Sequence, residues 1–385
     1  MQIDKVNIYQ VLLPFTGDFT HSLRKRSSAK NIVAEVIAKH GEIKGYGESA
    51  PRPYVTGESQ ESVTRTIKGF IKQNNFPWEL HDVSQIWEFV DSLPCDKAYH
   101  CALCAIETAL LDALATNQNK YIIDYFPKDF RTDKIYYGAL IPMDNKERIT
   151  EICGLIRKMK IKTNKLRIKI GKDFDQNKGI FDTVSHMFTG SYDLRVDING
   201  AGDSESALKH LQLMKEHNVS VIEQPMMPDD PNIADYAKLA QTYGMILMAD
   251  ESACSLQDVK RLYKEGFYKM INVRLSKCGG FRNSIKIIDY LRLNKTPFQI
   301  GCHLGESGIL SAAGRILSLL CGDAVHYDGS YDKFLLKKNI TCEDVSFGLG
   351  GEAGPLEGPG LGVKINKQNL LLLSDPSKTV TIMRP

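Results

Sequence analysis

LRVD (194–197), VSVIEQP (219–225) and MILMAD (245–250) are three short apolar runs, each closed or followed by an acid: Asp197, Glu223 and Asp250. The three acids stand 26 and 27 residues apart. A strand, a loop, a helix and a return loop take up about that many residues, so the spacing predicts successive parallel strands whose carboxyl ends meet on one barrel rim. Carboxylates gathered there call for a cation.

The same grammar extends to either side. Strand ends are predicted near Ala139 in KIYYGAL, at Lys169 in KLRIKIG, at Arg274 in KMINVR, at His303 in PFQIGCH and near Tyr327 in CGDAVHYDG. Between them ESALKHLQLMKEHN, IADYAKLAQTYG and LQDVKRLYKEGF carry helical apolar spacing. This alternation predicts an α/β unit over residues 131–345, a parallel barrel, with a doubly wound sheet as the alternative. Residues 1–130 read differently. MQIDKVNIYQVLL and NIVAEVIAKHGEIKGYGESA alternate as an antiparallel meander, and helical patterns follow from Glu61 to Phe70 and from Tyr99 to Ala115. The tail, 346–385, contains FGLGGEAGPLEGPGLG, too rich in Gly and Pro for a helix, then LGVKI as a candidate short strand; it is expected to return to the first unit.

With 385 residues the chain is long for one hydrophobic core. A net charge of +3 without a long basic block gives no reason to invoke nucleic acid. The one local cluster, Arg24, Lys25 and Arg26, is either a solvated loop or an anion-facing lid. Nine cysteines without framework spacing read as reduced thiols, and Cys101 and Cys104 in CALCAIETALLDALA as packing on a buried helix face. No basic leader precedes an apolar core and no uninterrupted apolar run is long enough to span a bilayer, so a cytoplasmic protein without a membrane partner is expected.

Asp197, Glu223 and Asp250 offer the hard oxygen donors that Mg2+ prefers. Singly, each acid is as readily a loop cap or a salt-bridge partner. Lys169 lies one unit earlier and shares its strand face with Arg167, so both point into the same cavity. A lysine so placed can abstract a carbon-bound proton; the plainer reading is a pair of rim charges.

Together, RIKIG (167–171), RVDING (195–200), IEQP (222–225), MADES (248–252) and INVRLSKCGG (271–280) resemble the enolase superfamily. The similarity is to its muconate-lactonising and dipeptide-epimerase branch, the mandelate racemase/muconate lactonizing enzyme family, over essentially residues 1–370. The resemblance implies a modified (β/α)7β TIM-like barrel under an α+β capping domain completed by the carboxyl segment. It also implies Mg2+ held by Asp197, Glu223 and Asp250, Lys169 as base, Arg167 as its supporting cation, and an enediolate formed from a small carboxylate-containing substrate. The resemblance further implies a homo-oligomer.

Arg274 departs from the pattern, since the family commonly has lysine there and a guanidinium does not readily accept a proton. Its expected role is electrostatic. His303 in GCHLGESG is either an acid/base or a neutral polar contact, and Glu306 either contacts substrate or orders His303. In HYDGSYD (326–332), Asp328 matches one of the acids that bind an amino group in dipeptide epimerases, Ser330 stands where the second is expected, and Asp332 is a possible substitute. THSLRKRSS and PRPYVTGES lie where family loops cover the cavity, which makes Arg24 and Tyr54 candidate substrate contacts. The function expected is Mg2+-dependent removal of a proton alpha to a carboxylate or acyl group by an isomerase or lyase. The alternatives are a dipeptide or amino-acid-derivative epimerase and a non-catalytic ligand-binding barrel.

Overall fold

The structure, a computed structural model, describes residues 1–21, 24–188 and 194–385, and the side chains of these except at 18–21, 24–25 and 163. Strands β1 (Ile3–His21), β2 (Arg24–Ala38) and β3 (Ile43–Ser49) form the antiparallel meander. Helices α1 (Gln60–Ile71), α2 (Val83–Asp91) and α3 (His100–Asn117) follow. Helix α3 is apolar all round because it is surrounded: all of its residues from His100 to Ala115 are buried. Among the described residues it is the one helix with the length and composition to cross a membrane, but 89% of its apolar window is buried inside the protein.

The close fit of α3 on β3 explains the glycines of KGYG. A Cβ at Gly45 would lie 2.2 Å from the Ala113 nitrogen, and one at Gly47 2.1 Å from the Ala105 oxygen. Ala105, Ala109 and Ala113, spaced by one turn, present the smallest side chains to those glycines. Helix and sheet therefore meet backbone to backbone.

The other face of the meander carries a polar row. Asn7, Glu35 and Tyr46 are cross-strand partners, and Glu35, 1% exposed, accepts hydrogen bonds from Asn7 at 2.7 Å, Tyr9 at 2.6 Å, Tyr46 at 2.7 Å and Lys367 at 2.8 Å. Burial alone would raise its pKa. The hydrogen bonds, that from the Lys367 ammonium foremost, outweigh it and hold the carboxyl at about 2. Since the folded value lies below the unfolded one, the stabilisation is complete above about pH 4.5 and disappears as the pH falls towards 2. Glu35→Gln is expected to cost about 2–3 kcal/mol at neutral pH. In urea melts the gap between wild type and variant should close between pH 4.5 and 2; a gap independent of pH would refute this account.

After β4 (Ile135–Tyr136) come eight parallel strands in consecutive spatial order: β5 (Ala139–Ile141), β6 (Leu166–Lys169), β7 (Leu194–Asp197), β8 (Val219–Glu223), β9 (Ile246–Ala249), β10 (Tyr268–Arg274), β11 (Phe298–Gly301) and β12 (His326–Tyr327). The connections run through α4 (Lys146–Lys158), α5 (Phe174–Met187), α6 (Ala207–Glu216), α7 (Ile233–Thr242), α8 (Leu256–Glu265), the short α9 (Leu275–Cys278) with α10 (Gly280–Leu293), and α11 (Gly308–Leu320). At the seam between the two edge strands the Gly138 N–H donates to the Tyr327 carbonyl at 2.8 Å. The architecture is the expected (β/α)7β barrel with an α+β cap, not a doubly wound sheet.

After β12 the chain forms α12 (Asp332–Leu335), and the tail then passes through β13 (Glu352–Ala353), which pairs with β4. Helix α13 (Lys367–Leu373) then carries Lys367 to Glu35, and β14 (Val380–Met383) pairs antiparallel with β1. LGVKI does not form the strand expected of it; Ile365 makes one isolated bridge with Thr341. The glycine-rich segment before it turns at Gly358, Gly360 and Gly362, all at positive φ, which leaves no run long enough to pair. All nine cysteines are unpaired, and Cys101 and Cys104 are buried.

The cap is pinned to the barrel mouth by buried polar groups. Glu48 of β3 accepts from the Ser307 N–H, the Ser307 hydroxyl and the Leu310 N–H at 2.6–3.2 Å. Arg52 donates to the Leu304 carbonyl at 2.8 Å. These contacts hold the loop that bears His303 beneath the cap.

Candidate active site

Parallel register builds the site. Lys169, Asp197 and Glu223 are direct cross-strand partners on β6, β7 and β8, so their side chains leave the sheet on one side at one level. Arg167, two residues earlier, points the same way one layer down, where Arg195 is its partner. Asp250 follows the last residue of β9, and the Gln224 amide fixes the turn: its oxygen accepts from the Asp250 N–H at 3.0 Å and the Ser252 N–H at 3.1 Å. Gln224 and Asn199 both hold positive φ just beyond a strand-end acid, backbone that the surrounding structure must hold in place.

The three acids are buried and each meets cations. The Lys169 ammonium donates to Asp197 at 2.8 Å and to the Asn199 side-chain oxygen at 2.6 Å. Arg167 donates to Glu223 at 2.7 Å and lies 3.6 Å from Asp197. Arg274 spans two acids, donating to Glu223 at 3.1 Å and also to Asp250. Lys277, wholly buried, donates to the Asp250 carboxylate at 3.0 Å, the Asp250 carbonyl at 2.7 Å and the Asn272 carbonyl at 2.6 Å. It is a clip between the ends of β9 and β10. Burial raises the Asp250 carboxyl, whereas at Glu223 the arginines prevail over burial and keep it ionised.

A chamber of about 50 Å³ opens above this layer, lined by Tyr54, Lys169, Asp197, Asn199, Glu251, Arg274 and His303 among others. Burial, then the charge on Arg274, keeps the His303 imidazole neutral. Burial, then the neighbouring Asp250 charge, pushes Glu251 up to about 8.

Other predicted residues lie off the chamber. Glu306 turns to the His303 backbone N–H, accepting at 2.6 Å, which favours the ordering role over substrate contact. Asp328 is held from beneath by Arg195 at 3.2 Å and Arg167 at 3.4 Å, so its charge is already answered there. Asp332 accepts from Asn339 at 2.6 Å and Ser330 from Arg315 at 3.1 Å, so neither joins Asp328 as an acidic pair. The Arg24 side chain lies outside the described residues. Asn199, Glu251, Asn272 and Tyr331 were not singled out from sequence. Asn199, two residues past Asp197, and Glu251, next to Asp250, were marked by their neighbours; Asn272 and Tyr331 carried no signal short of the barrel itself.

Among the described residues no three His, Cys, Asp or Glu side chains form a ready metal cage. The carboxylates converge instead on Arg167, Lys169, Arg274 and Lys277. Their chemistry still suits Mg2+: Asp197, Glu223 and Asp250 are oxygen donors from neighbouring units, and beside them a buried Glu251 oxygen has no hydrogen-bond partner. That unpartnered oxygen leaves the acidic cluster with one donor atom still open to a cation.

Residues 147–369 match the family model described as Enolase C-terminal domain-like, more than half of the chain. This protein belongs to that family. The matched stretch contains every strand from β6 to β12 and so every charged group of the layer just described. Over 381 residues the chain is 25% identical to a hydrophobic dipeptide epimerase of Enterococcus faecalis, covering 97% of this chain and 98% of that one. The solved structure of N-succinyl Arg/Lys racemase from Bacillus cereus superimposes with a TM-score of 0.83 at 23% identity, over 99% of this chain and 100% of that one. A dipeptide epimerase from Cytophaga hutchinsonii, solved with Mg and the dipeptide D-Ala-L-Val, gives a TM-score of 0.82 at 22% identity, over 99% and 100%. The chain is an enolase-superfamily enzyme.

Proposed function

We propose that this enzyme removes the proton alpha to the carboxylate of a small acid, through an enediolate, with Lys169 as its single base, and that it is an isomerase or lyase of the muconate-lactonising kind. One observation carries the reading: the Lys169 amine lines the small chamber beside Asp197, and the residue facing the same space from β10 is Arg274, which holds its proton at any ordinary pH.

Asp197, Glu223 and Asp250 would hold Mg2+, whose charge would favour the doubly negative carboxylate of the enediolate. Lys169 takes the α-proton after releasing to solvent the proton that its ammonium holds toward Asp197; Asp197 and Asn199 orient it and Arg167 supports the acids beneath. Arg274 contributes a fixed positive charge. His303, kept neutral, offers a polar contact. The cap over the mouth excludes water.

The likeness to dipeptide epimerases supports a second reading, epimerisation by Lys169 and His303. Against it, Asp328, Ser330 and Asp332 are already engaged with arginine or asparagine partners instead of facing a substrate ammonium. The test is α-deuterium incorporation in Mg2+-containing D2O across dipeptides, N-acyl amino acids and muconates, with product chirality determined. Single-face exchange supports the first reading and scrambled chirality the second. Binding without exchange anywhere in the panel would leave a ligand-binding barrel.

A further inference from the structure

The chamber at Lys169, about 50 Å³, has room for only a few water-sized groups. A carboxylate and its α-carbon fill it. Beside it lies a second cavity of about 320 Å³, within the size range of small-molecule sites. Leu140, Leu304 and Tyr331 line both, so the second cavity is the next free space for anything seated against Lys169.

Its walls are apolar. Helix α4 carries a wide apolar arc: Ile149 and Cys153 are buried, Ile156 is buried and also lines the cavity, and Ile152 and Leu155 extend the arc along the cavity wall, Leu155 remaining 54% exposed. A barrel helix that only covered its sheet would be polar at the outer edge of that arc, where Leu155 stands. Phe334 and Leu335 of α12 close the opposite wall, held by hydrogen bonds from the Thr16 hydroxyl to their carbonyls at 3.5 and 3.3 Å. The charged residues on the lining are Asp144 and Arg148, and Arg148 is paired with Glu151 at 2.5 Å.

We propose that this annex receives an extended apolar group carried by the substrate beyond its α-carbon, so that the substrate class is a carboxylic acid with a bulky alkyl or aryl extension. The proposal rests on the chamber at Lys169 being the reaction site. Its occupant is the remainder of the same molecule whose carboxylate that chamber takes.

Calorimetric titration of the full chain in Mg2+ buffer with butanoate, hexanoate and octanoate tests it. Each added methylene should tighten binding about fourfold, the increment for burying one CH2 group. Ile152→Trp, which fills the annex, should flatten that gradient; Leu155→Trp, at the exposed rim, is the second variant should the first not fold. Butanoate and octanoate binding within about twofold of each other in wild type, against that per-methylene expectation, would overturn the proposal, as would a gradient that both Trp variants leave unchanged. A gradient without deuterium exchange on any acid would keep the annex and remove the catalytic reading, whereas exchange without a gradient would do the reverse.

Discussion

Lys169→Ala should lower α-deuterium exchange about a thousandfold, within the span that a positioned general base contributes. Arg274 stays protonated, and burial together with the Arg274 charge disfavours the imidazolium that His303 would become on taking a proton, so Lys169 is the base that the chamber favours. The same substitution also removes a charge 2.8 Å from Asp197, so loss of rate alone is ambiguous. Two further measurements separate the causes. Lys169→Arg keeps the positive charge and forfeits the base, and should be as inactive as the alanine variant. Mg2+ affinity, read by calorimetry, should hold within a few-fold in Lys169→Ala, because Arg167 remains 3.6 Å from Asp197. Exchange preserved in either variant would remove Lys169 from the mechanism.

Much of this site was legible because parallel register turns sequence spacing into position. Once Lys169, Asp197 and Glu223 are read as strand ends, their shared level follows from the pleat. Asp250 fitted the same logic although its strand stops one residue earlier. What spacing does not carry is the partner each charge finds across the barrel. Asp328 looked like a rim acid, yet the closed barrel sets Arg195 and Arg167 beneath it, and those contacts span 133 and 161 positions along the chain. Tyr331 and the annex were hidden for a related reason. That cavity is assembled chiefly from α4, α12 and the end of β5, with Leu304 and Phe347 added from segments far apart in the chain, and the apolar residues of each read as ordinary core. In the cap, the meander was plain from its alternation, but nothing in the sequence explained the two glycines of KGYG; their reason is the backbone of α3 lying against them.

Arg274→Met should have the second large effect, and its first readout is stability. Arg274 is the bridge between Glu223 and Asp250, both wholly buried. Removing one partner from a buried ionic cluster leaves uncompensated charge and typically costs about 3–5 kcal/mol. Asn272 and Arg167 still answer Glu223, and Lys277 still answers Asp250, which places the expected loss at the lower end of that range. If Asp197, Glu223 and Asp250 are the Mg2+ ligands, the ion and the guanidinium seek the same oxygens. The variant should then bind Mg2+ about tenfold or more tightly than wild type, and saturating Mg2+ should raise its melting temperature by more than it raises that of wild type. Exchange activity should fall in the same variant, because the fixed charge on that wall is gone. A variant that melts like wild type and gains nothing from Mg2+ would mean that the three acids are structural partners of the arginines and not ligands in waiting.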